Sequence, residues 1–475
     1  MGEHGAHGAF VAALMACLPP EQVVTRQETL LGLSRDKAEW LEPGTPLAAA
    51  FPRSTDEVVA VMRLASEHRV PVVPRGAGSG LAGGANAIDG CLILSLARMD
   101  AIVEISATDM VAVVQPGVMN ATLAAEAAAQ GLMYAPDPSS FEISSIGGNL
   151  ATNAGGLRCL KYGVTREATL AIEVVLADGT VLRTGRRPVK GVAGYDLVSL
   201  FVGSEGTLGI MTEATLRLRP APGPSGTLLA TFPSLPAAAE AVALLSSVTP
   251  SVLELMDQTT ARAVEDWRHL GLDTDAAATL IARSDTAEGG VAELDLVEAA
   301  CHGAGATAVL RSTDLFESEG LMDARRAAFP ALERLGITLL EDVAVPRGRI
   351  VDLVREVERI GAHHHVIIGT FGHVGDGNLH PTLVIPRGDE SARRGALKAA
   401  NEILAATLSM KGTLSGEHGI GTLKRDQLAD ELGREALHAM WAVKDAFDPH
   451  GIMNPGKVLP PRGNVKQSEV RRGDG

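Results

Sequence analysis

The chain has 475 residues, of which 46% are apolar and 21% charged, and its formal charge is −15 at pH 7. That length gives room for two to four domains with substantial cores, and the composition excludes a disordered chain. The acidic balance and the 3% aromatic content exclude a binder of phosphate backbones and a stacking platform for single strands, so no nucleic-acid partner is expected.

Cys17, Cys91, Cys159 and Cys301 are far apart and form no CxxC pair. This predicts reduced thiols in a cytoplasmic protein, compatible with a peripheral membrane association, rather than a disulfide frame or zinc knuckle. No apolar run is long enough for a transmembrane helix. Residues 10–18 are apolar but have no basic flank, and read as an amphipathic first helix rather than a secretory signal.

Ser54 and Glu57 have capping-box spacing before an apolar-periodic stretch, which predicts a helix there. A short strand over 70–74 leads into a glycine-rich loop over 75–84. Residues 91–96 and 111–114 read as buried strands, and residues 120–129, closed by Gly131, as a helix. Asp178-Gly179 joins strands 172–177 and 180–183 into a hairpin, and residues 210–218 form a further strand. Residues 219–226 then hold three prolines and two glycines, the best domain boundary in the chain. Beyond it, strand-like runs at 228–232, 252–256, 279–282, 307–310 and 338–345 alternate with helical ones, among them a strongly amphipathic helix over 350–360. This predicts an α+β layer. A last glycine-rich loop and a helix near 437–447 precede a charged tail after Pro460, expected to be disordered.

Gly78-Ser-Gly-Leu-Ala-Gly83 is a literal GxGxxG. A dinucleotide-binding crossover needs a helix directly after it, and here a second turn and a strand follow instead, so the Rossmann reading fails. What remains is a loop whose bare amides can approach an anion. Two further amide-rich loops, 146–156 and 203–209, together with the rigid turn at Pro136, suit a long phosphate-bearing ligand lying on exposed backbone. In the second half, His373 and His380 flank an Asp-Gly turn between two strands, so the chain should fold back and bring both imidazoles to one point. Glu417, in a glycine-rich loop, completes two imidazoles and a carboxylate. That donor set suits a divalent cation, most simply zinc, with manganese or iron also compatible. His418, next to Glu417, is a candidate general base, though on the residues alone a histidine exposed in a flexible loop is the commoner reading. Arg325 is a candidate fork for a carboxylate, with Arg326 a near-equal choice. The run His363-His364-His365 ends a helix and begins a strand, so its side chains diverge and it reads as structural.

The motifs PRGAGSGLAGGA (74–85), PDPSS (136–140), SIGGNLATNAGG (145–156), GSEGTLGIMTEATLRL (203–218), GHVGDGNLH (372–380), SGEHGIG (415–421) and NPGK (454–457) occur in order. Taken together they resemble the vanillyl-alcohol oxidase (PCMH-type) flavoproteins, and within them the FAD-linked D-2-hydroxyacid dehydrogenases. The resemblance covers about residues 25–460. It implies an α+β chain: a two-subdomain PCMH-type FAD-binding domain over 1–220, a ferredoxin-like α+β substrate (cap) domain over 221–410, and a segment over 411–460 returning to the flavin. It further implies non-covalent FAD held by Arg75, Gly76, Ala77, Gly78, Ser79 and Gly80 and lined by Pro136, Asp137, Ser139, Gly148, Asn149, Thr152, Asn153 and Gly155. Ile210 would sit near the adenine and Asn454 near the isoalloxazine. The metal ligands would match His373, His380 and Glu417, with Arg325 binding substrate and His418 taking a proton.

The implied reaction is oxidation of a small 2-hydroxy acid to the 2-oxo acid. The electrons would pass to an external acceptor: a quinone, a cytochrome, an electron-transfer flavoprotein or a partner subunit. Relatives acting on 2-hydroxyglutarate carry a lysine where Leu340 falls and an asparagine where Thr382 falls, which favours a monocarboxylate such as lactate or glycolate. A 2-hydroxyglutarate dehydrogenase, a flavin subunit of a glycolate oxidase assembly and an enzyme acting on other alcohols are the alternatives. The oligomeric state is left open, a homodimer included.

Overall fold

A computed structural model describes residues 3–188, 190–245, 247–286 and 290–463; of the charged tail, residues 464–475 lie outside the described residues. The architecture is a mixed α+β fold built on three principal sheets. In the first, strands Val23–Val24, Ala48–Ala50, Leu92–Ser95 and Val72–Arg75 lie in that order, the last three mutually parallel. The second is antiparallel, in the order Ile102–Ser106, Val111–Val114, Ile210–Arg217, Thr169–Val175, Val181–Gly185. The expected hairpin is present, with Val175 opposite Val181.

The N-terminal helix, Glu3–Cys17, buries Phe10 and Leu14 against the first sheet. Ser54 caps helix Thr55–His68 by accepting the Glu57 N–H. The box is only half made, because the Glu57 carboxylate turns back to Arg53 N–H and Gln22 rather than to Ser54. No helix follows Gly83, in keeping with the rejected dinucleotide crossover. The stretch expected as a loop from Ile146 is instead a short helix, Ile146–Thr152. Its N-cap is Ser145, whose hydroxyl accepts the Gly148 N–H. The two glycines masked a capped first turn.

The third sheet carries the other half of the chain. Its order is Ala308–Ser312, Gly226–Phe232, Ala278–Ser284, Val252–Asp257, Ile367–Gly372, Asn378–Ile385, Ile337–Leu340, all antiparallel, with Val343–Ala344 pairing beside the last hairpin. Strand alternation sorts its side chains. Leu253, Leu255, Leu379 and Leu383 join a core with helices Leu235–Leu244, Val291–Gly303, Ile350–His364 and Glu390–Ser409. Val252, Met256, Phe371 and Val384 point to the opposite face, where Gln258–Arg268 and Ala328–Glu333 pack. The run expected as one strand over 338–345 is broken at Glu341-Asp342, whose carboxylates are buried there. The last helix, Leu428–Phe447, starts earlier than expected and kinks at Gly433.

The hairpin Ile367–Gly372/Asn378–Ile385 turns through Gly377, at φ +90°. A β-carbon there would lie 2.1 Å from the Val345 carbonyl oxygen, so both the backbone angle and the space demand glycine. Gly377→Ala should cost at least about 2 kcal/mol. It should lower the thermal midpoint by several degrees, read by circular dichroism against the parent protein.

Candidate active site

A cavity runs from the glycine-rich loops of the first half to the hairpin face of the third sheet. Arg75, Gly76, Ala77, Gly78, Ser79 and Gly80 line one end, and Ser139, Gly148, Asn149, Thr152 and Ile210 its walls. Leu340, Phe371, His380, Glu417 and His418 close the other end. Of the residues assigned to the cofactor by resemblance, Pro136, Asp137, Asn153, Gly155 and Asn454 stand behind this wall. Asp137 pairs with Arg158, and Asn153 accepts from the Arg166 N–H. Asn454 donates to the carbonyls of Gly84 and Glu205.

The loop end suits an anionic ligand. The Ser145 hydroxyl accepts the N–H of Ala77 and of Gly148, fastening the loop to the short helix. Among the described residues, nothing accepts from the N–H of Gly78, Ser79 or Gly80. Arg75 Nη1 and Asn149 Nδ2 are buried donors without a partner. Orphaned donors of this kind call for a ligand oxygen.

At the other end, the hairpin brings His373 and His380 together, with ring centroids 5.2 Å apart. Glu417 Oε1 lies 3.0 Å from His373 Nε2 and 3.3 Å from His380 Nε2. These three donors lie within 4.8 Å of one another. Metal–ligand bonds of about 2.0–2.2 Å in a tetrahedral site fit such spacings, so His373, His380 and Glu417 could hold a divalent cation. Asp342, His380 and His418 form an overlapping group. The Asp342 carboxylate, however, already accepts from Asn378 Nδ2, the Ser415 hydroxyl and the N–H groups of Glu417 and His418. It orients the ligand loop rather than adding to the ligands.

The electrostatics set the two imidazoles apart, and a cation bound here would have to displace the proton that His373 holds. Burial would depress His373, but Glu254 and Glu417 on either side outweigh it and raise its pKa well above the usual value. Burial would raise Glu417, but His373 and then His380 hold it well below the carboxylate range. His380 is pushed down to about 4, chiefly by burial, which keeps it neutral as a ligand must be. Burial would also raise Asp342, yet His418, Lys424 and His380 bring it below its ordinary value. His418 stacks on His380 with centroids 5.0 Å apart and has its Nε2 3.8 Å from Glu417 Oε1.

Arg325 does not line the cavity. It is 2% exposed and gives its Nε–H to Glu254, stacks over Phe371, and leaves Nη2 unpartnered. Arg326, its neighbour, lines the cavity while paired with Asp323. Of the three consecutive histidines, His364 bonds Glu402 at the end of its helix, and none of the three lines the cavity. Sequence reasoning passed over Glu254, Asp342 and Glu205. The signal was a carboxylate inside an apolar strand run, which at 254 and 342 marks a buried polar partner.

Fold and cavity together define a class, the PCMH-type flavoproteins. The model for "FAD binding domain" matches residues 46–185, and that for "FAD linked oxidases, C-terminal domain" matches residues 222–458. The chain is 44% identical to the glycolate oxidase subunit GlcD of Bacillus subtilis, over 87% of this chain and 89% of that protein. Identity to the Escherichia coli GlcD is 38%, over 87% and 84%. To a D-lactate dehydrogenase of Archaeoglobus fulgidus it is 34%, over 86% and 90%. In fold alone it is similar to p-cresol methylhydroxylase, with TM-score 0.80 at 18% identity over 96% of this chain and 97% of that one. 4-Ethylphenol oxidase from Gulosibacter chungangensis gives the same TM-score at 20% identity over 96% and 98%. The chain belongs to the FAD-linked oxidase family and is an FAD-dependent oxidoreductase. Among the described residues, no helix is long and apolar enough to cross a membrane.

Glu205 lies at the joint between the two halves of the cavity. Its carboxylate accepts the N–H of Ile420 and Gly421, and burial raises its pKa to about 7. The folded protein therefore keeps this proton up to about pH 7, whereas an unfolded chain releases it near 4.3. In that interval the native state binds more protons, and stability falls as pH rises through it. Glu205→Gln removes this contribution, so its thermal midpoint should drop less than the parent's between pH 5 and pH 8. Equal drops would contradict the assignment.

Proposed function

We propose that this protein oxidises a small D-2-hydroxy acid, a monocarboxylate of the lactate or glycolate kind, to the 2-oxo acid. The observation that carries the reading is the convergence of His373, His380, Glu417 and His418 on one end of a cavity whose other end is the glycine-rich cradle. The names of its relatives point to the same substrate class. The chain would divide into a cofactor half over 1–220, a substrate half over 221–410, and a segment over 411–460 that returns to the flavin. The ties of Ile420, Gly421 and Asn454 to the Glu205 loop support that division.

Each residue then has a defined task. His373, His380 and Glu417 would hold a divalent cation, zinc, manganese or iron, which when bound would polarise the substrate hydroxyl. Bound FAD supplies the two-electron acceptor. His418 Nε2 takes the hydroxyl proton, and Asp342, 3.9 Å from Nδ1, steadies the resulting charge. Arg325, packed against the cavity-lining Phe371 rather than on the wall itself, would turn its unpartnered Nη2 to the substrate carboxylate and orient the acid for loss of the Cα hydrogen. The electrons would leave to an external acceptor, either a small carrier or a partner subunit. Leu340 lies directly opposite Thr382 beside His380, so neither of these two positions offers a cation to a second carboxylate.

Anaerobic addition of D-lactate or glycolate should bleach the flavin absorbance, and EDTA pretreatment should abolish the bleaching. A clear preference for 2-hydroxyglutarate, or bleaching indifferent to EDTA, would refute the reading. His418→Gln should lower kcat by about 10²–10⁴-fold while zinc binding and flavin content stay at parent levels. Unchanged turnover would remove His418 from the proton's path.

A further inference from the structure

We infer that Glu254 is a positioning residue that locks the carboxylate clamp and a metal-ligating imidazole to each other. The inference rests on the preceding reading of Arg325 and His373.

Glu254 sits in the middle of strand Val252–Asp257, fully buried, on the sheet face that carries Phe371 and His380. Its two oxygens serve different partners. Oε1 accepts from His373 Nδ1 at 2.7 Å, and Oε2 accepts from Arg325 Nε. One carboxylate therefore does two jobs. By holding the Nδ1 proton of His373 it fixes the tautomer that leaves Nε2 for a cation, and a hydrogen bond to a carboxylate strengthens the imidazole as a donor. By fixing Nε of Arg325 it sets the plane of the guanidinium, whose Nη2 is buried and unpartnered. The plane is held from its other side by the Phe371 ring, 4.7 Å from the guanidinium carbon.

Nothing else among the described residues could substitute. Arg325 has no other acceptor, and His373 Nδ1 has no other partner. The two contacts come from opposite ends of one rigid group on a central strand. A shift of that strand moves the cation site and the acid site together, so their separation, which must match one substrate's carboxylate-to-hydroxyl distance, is set by a single side chain.

Glu254→Gln tests this, because an amide presents one acceptor and one donor. It can satisfy His373 or Arg325, but its NH2 opposes the N–H of the other. Glu254→Asp keeps the buried charge, and hence the fold, while withdrawing the oxygens by roughly 1.5 Å, one carbon–carbon bond. It carries the test should the glutamine variant not fold. Two binding measurements on the FAD-loaded full chain read the two arms separately. Zinc chloride is titrated against a fluorescent chelator, and oxalate, a redox-inert acid, is titrated in excess EDTA by perturbation of the flavin spectrum.

Both affinities should fall in the variants, zinc by about 10–100-fold and oxalate by about tenfold or more, with flavin content unchanged. A purely structural carboxylate would lower the thermal midpoint and leave both affinities as in the parent, and that outcome overturns the inference while the proposed function stands. Loss of only one affinity also overturns it, since the two arms would then be independent. If the parent itself binds neither zinc nor oxalate, the proposed function fails and takes the inference with it.

Discussion

The structure depends on a cluster of buried carboxylates whose desolvation is offset only by one another's partners. Glu254, Glu341 and Asp342 are buried and Glu417 is half-buried at the cavity wall, and their counter-charges are Arg325, Lys424 and the imidazoles. An ionised group taken out of water costs several kcal/mol unless it is paired and fully hydrogen-bonded. Here both oxygens of Glu254 and both of Asp342 have donors. Lys424 shows the consequence for the fold: its ammonium pairs with Glu341 and caps the carbonyls of Asp342 and Leu414, pinning the Ser415–Gly421 loop to the broken strand beneath it. Such a cluster is a poor source of stability in itself. It is a good way to hold several side chains in one arrangement, and an excess of acid over permanent cation leaves it receptive to a divalent ion.

The same logic explains how two neighbouring residues are given different work. Glu417 and His418 are adjacent, and both of their N–H groups are held by one oxygen of Asp342. A backbone gripped at two successive amides projects its side chains in different directions. Glu417 turns down to the histidine pair, and His418 stacks over His380 at the cavity wall. Gly155 makes room for this from the other half of the chain: a β-carbon there would lie 2.5 Å from Glu417 Oε2. The ligand loop is thus clasped between both halves, by Asp342 on one side and by Glu205 and Gly155 on the other.

Much of this was legible in the sequence because turn chemistry is local. The Asp-Gly between His373 and His380 predicts a hairpin whatever surrounds it, and the hairpin alone makes the two imidazoles neighbours. The glycine-rich loops announce close backbone approach, and the missing helix after Gly83 excludes the commoner nucleotide fold. Other features were hidden because they are settled at a distance. Ser145 caps a helix that two glycines disguise. Glu254 and Asp342 read as interruptions of apolar strands until Arg325, His373 and the Glu417 loop arrive from elsewhere. Arg325 and Arg326 are indistinguishable by composition. Successive helical residues point about 100° apart, so one guanidinium turns inward to Glu254 and the other faces the cavity, and only the packing of Leu315–Arg326 decides which.

That last choice bears on how the family's scaffold is specialised. The cradle end is made of backbone amides and small residues, which in the proposed reading would recognise the phosphate chain common to any FAD. The other end is made of side chains on three separate elements: a central strand, a hairpin and a returning loop. Backbone recognition tolerates change in side chains, and a site assembled from side chains can be re-tuned one position at a time. Leu340 is such a position. It faces Thr382 across the sheet and opens onto the same cavity as His380, so its replacement by a cation would put a charge on the cavity wall while leaving the side chains of His373, His380 and Glu417 as they are.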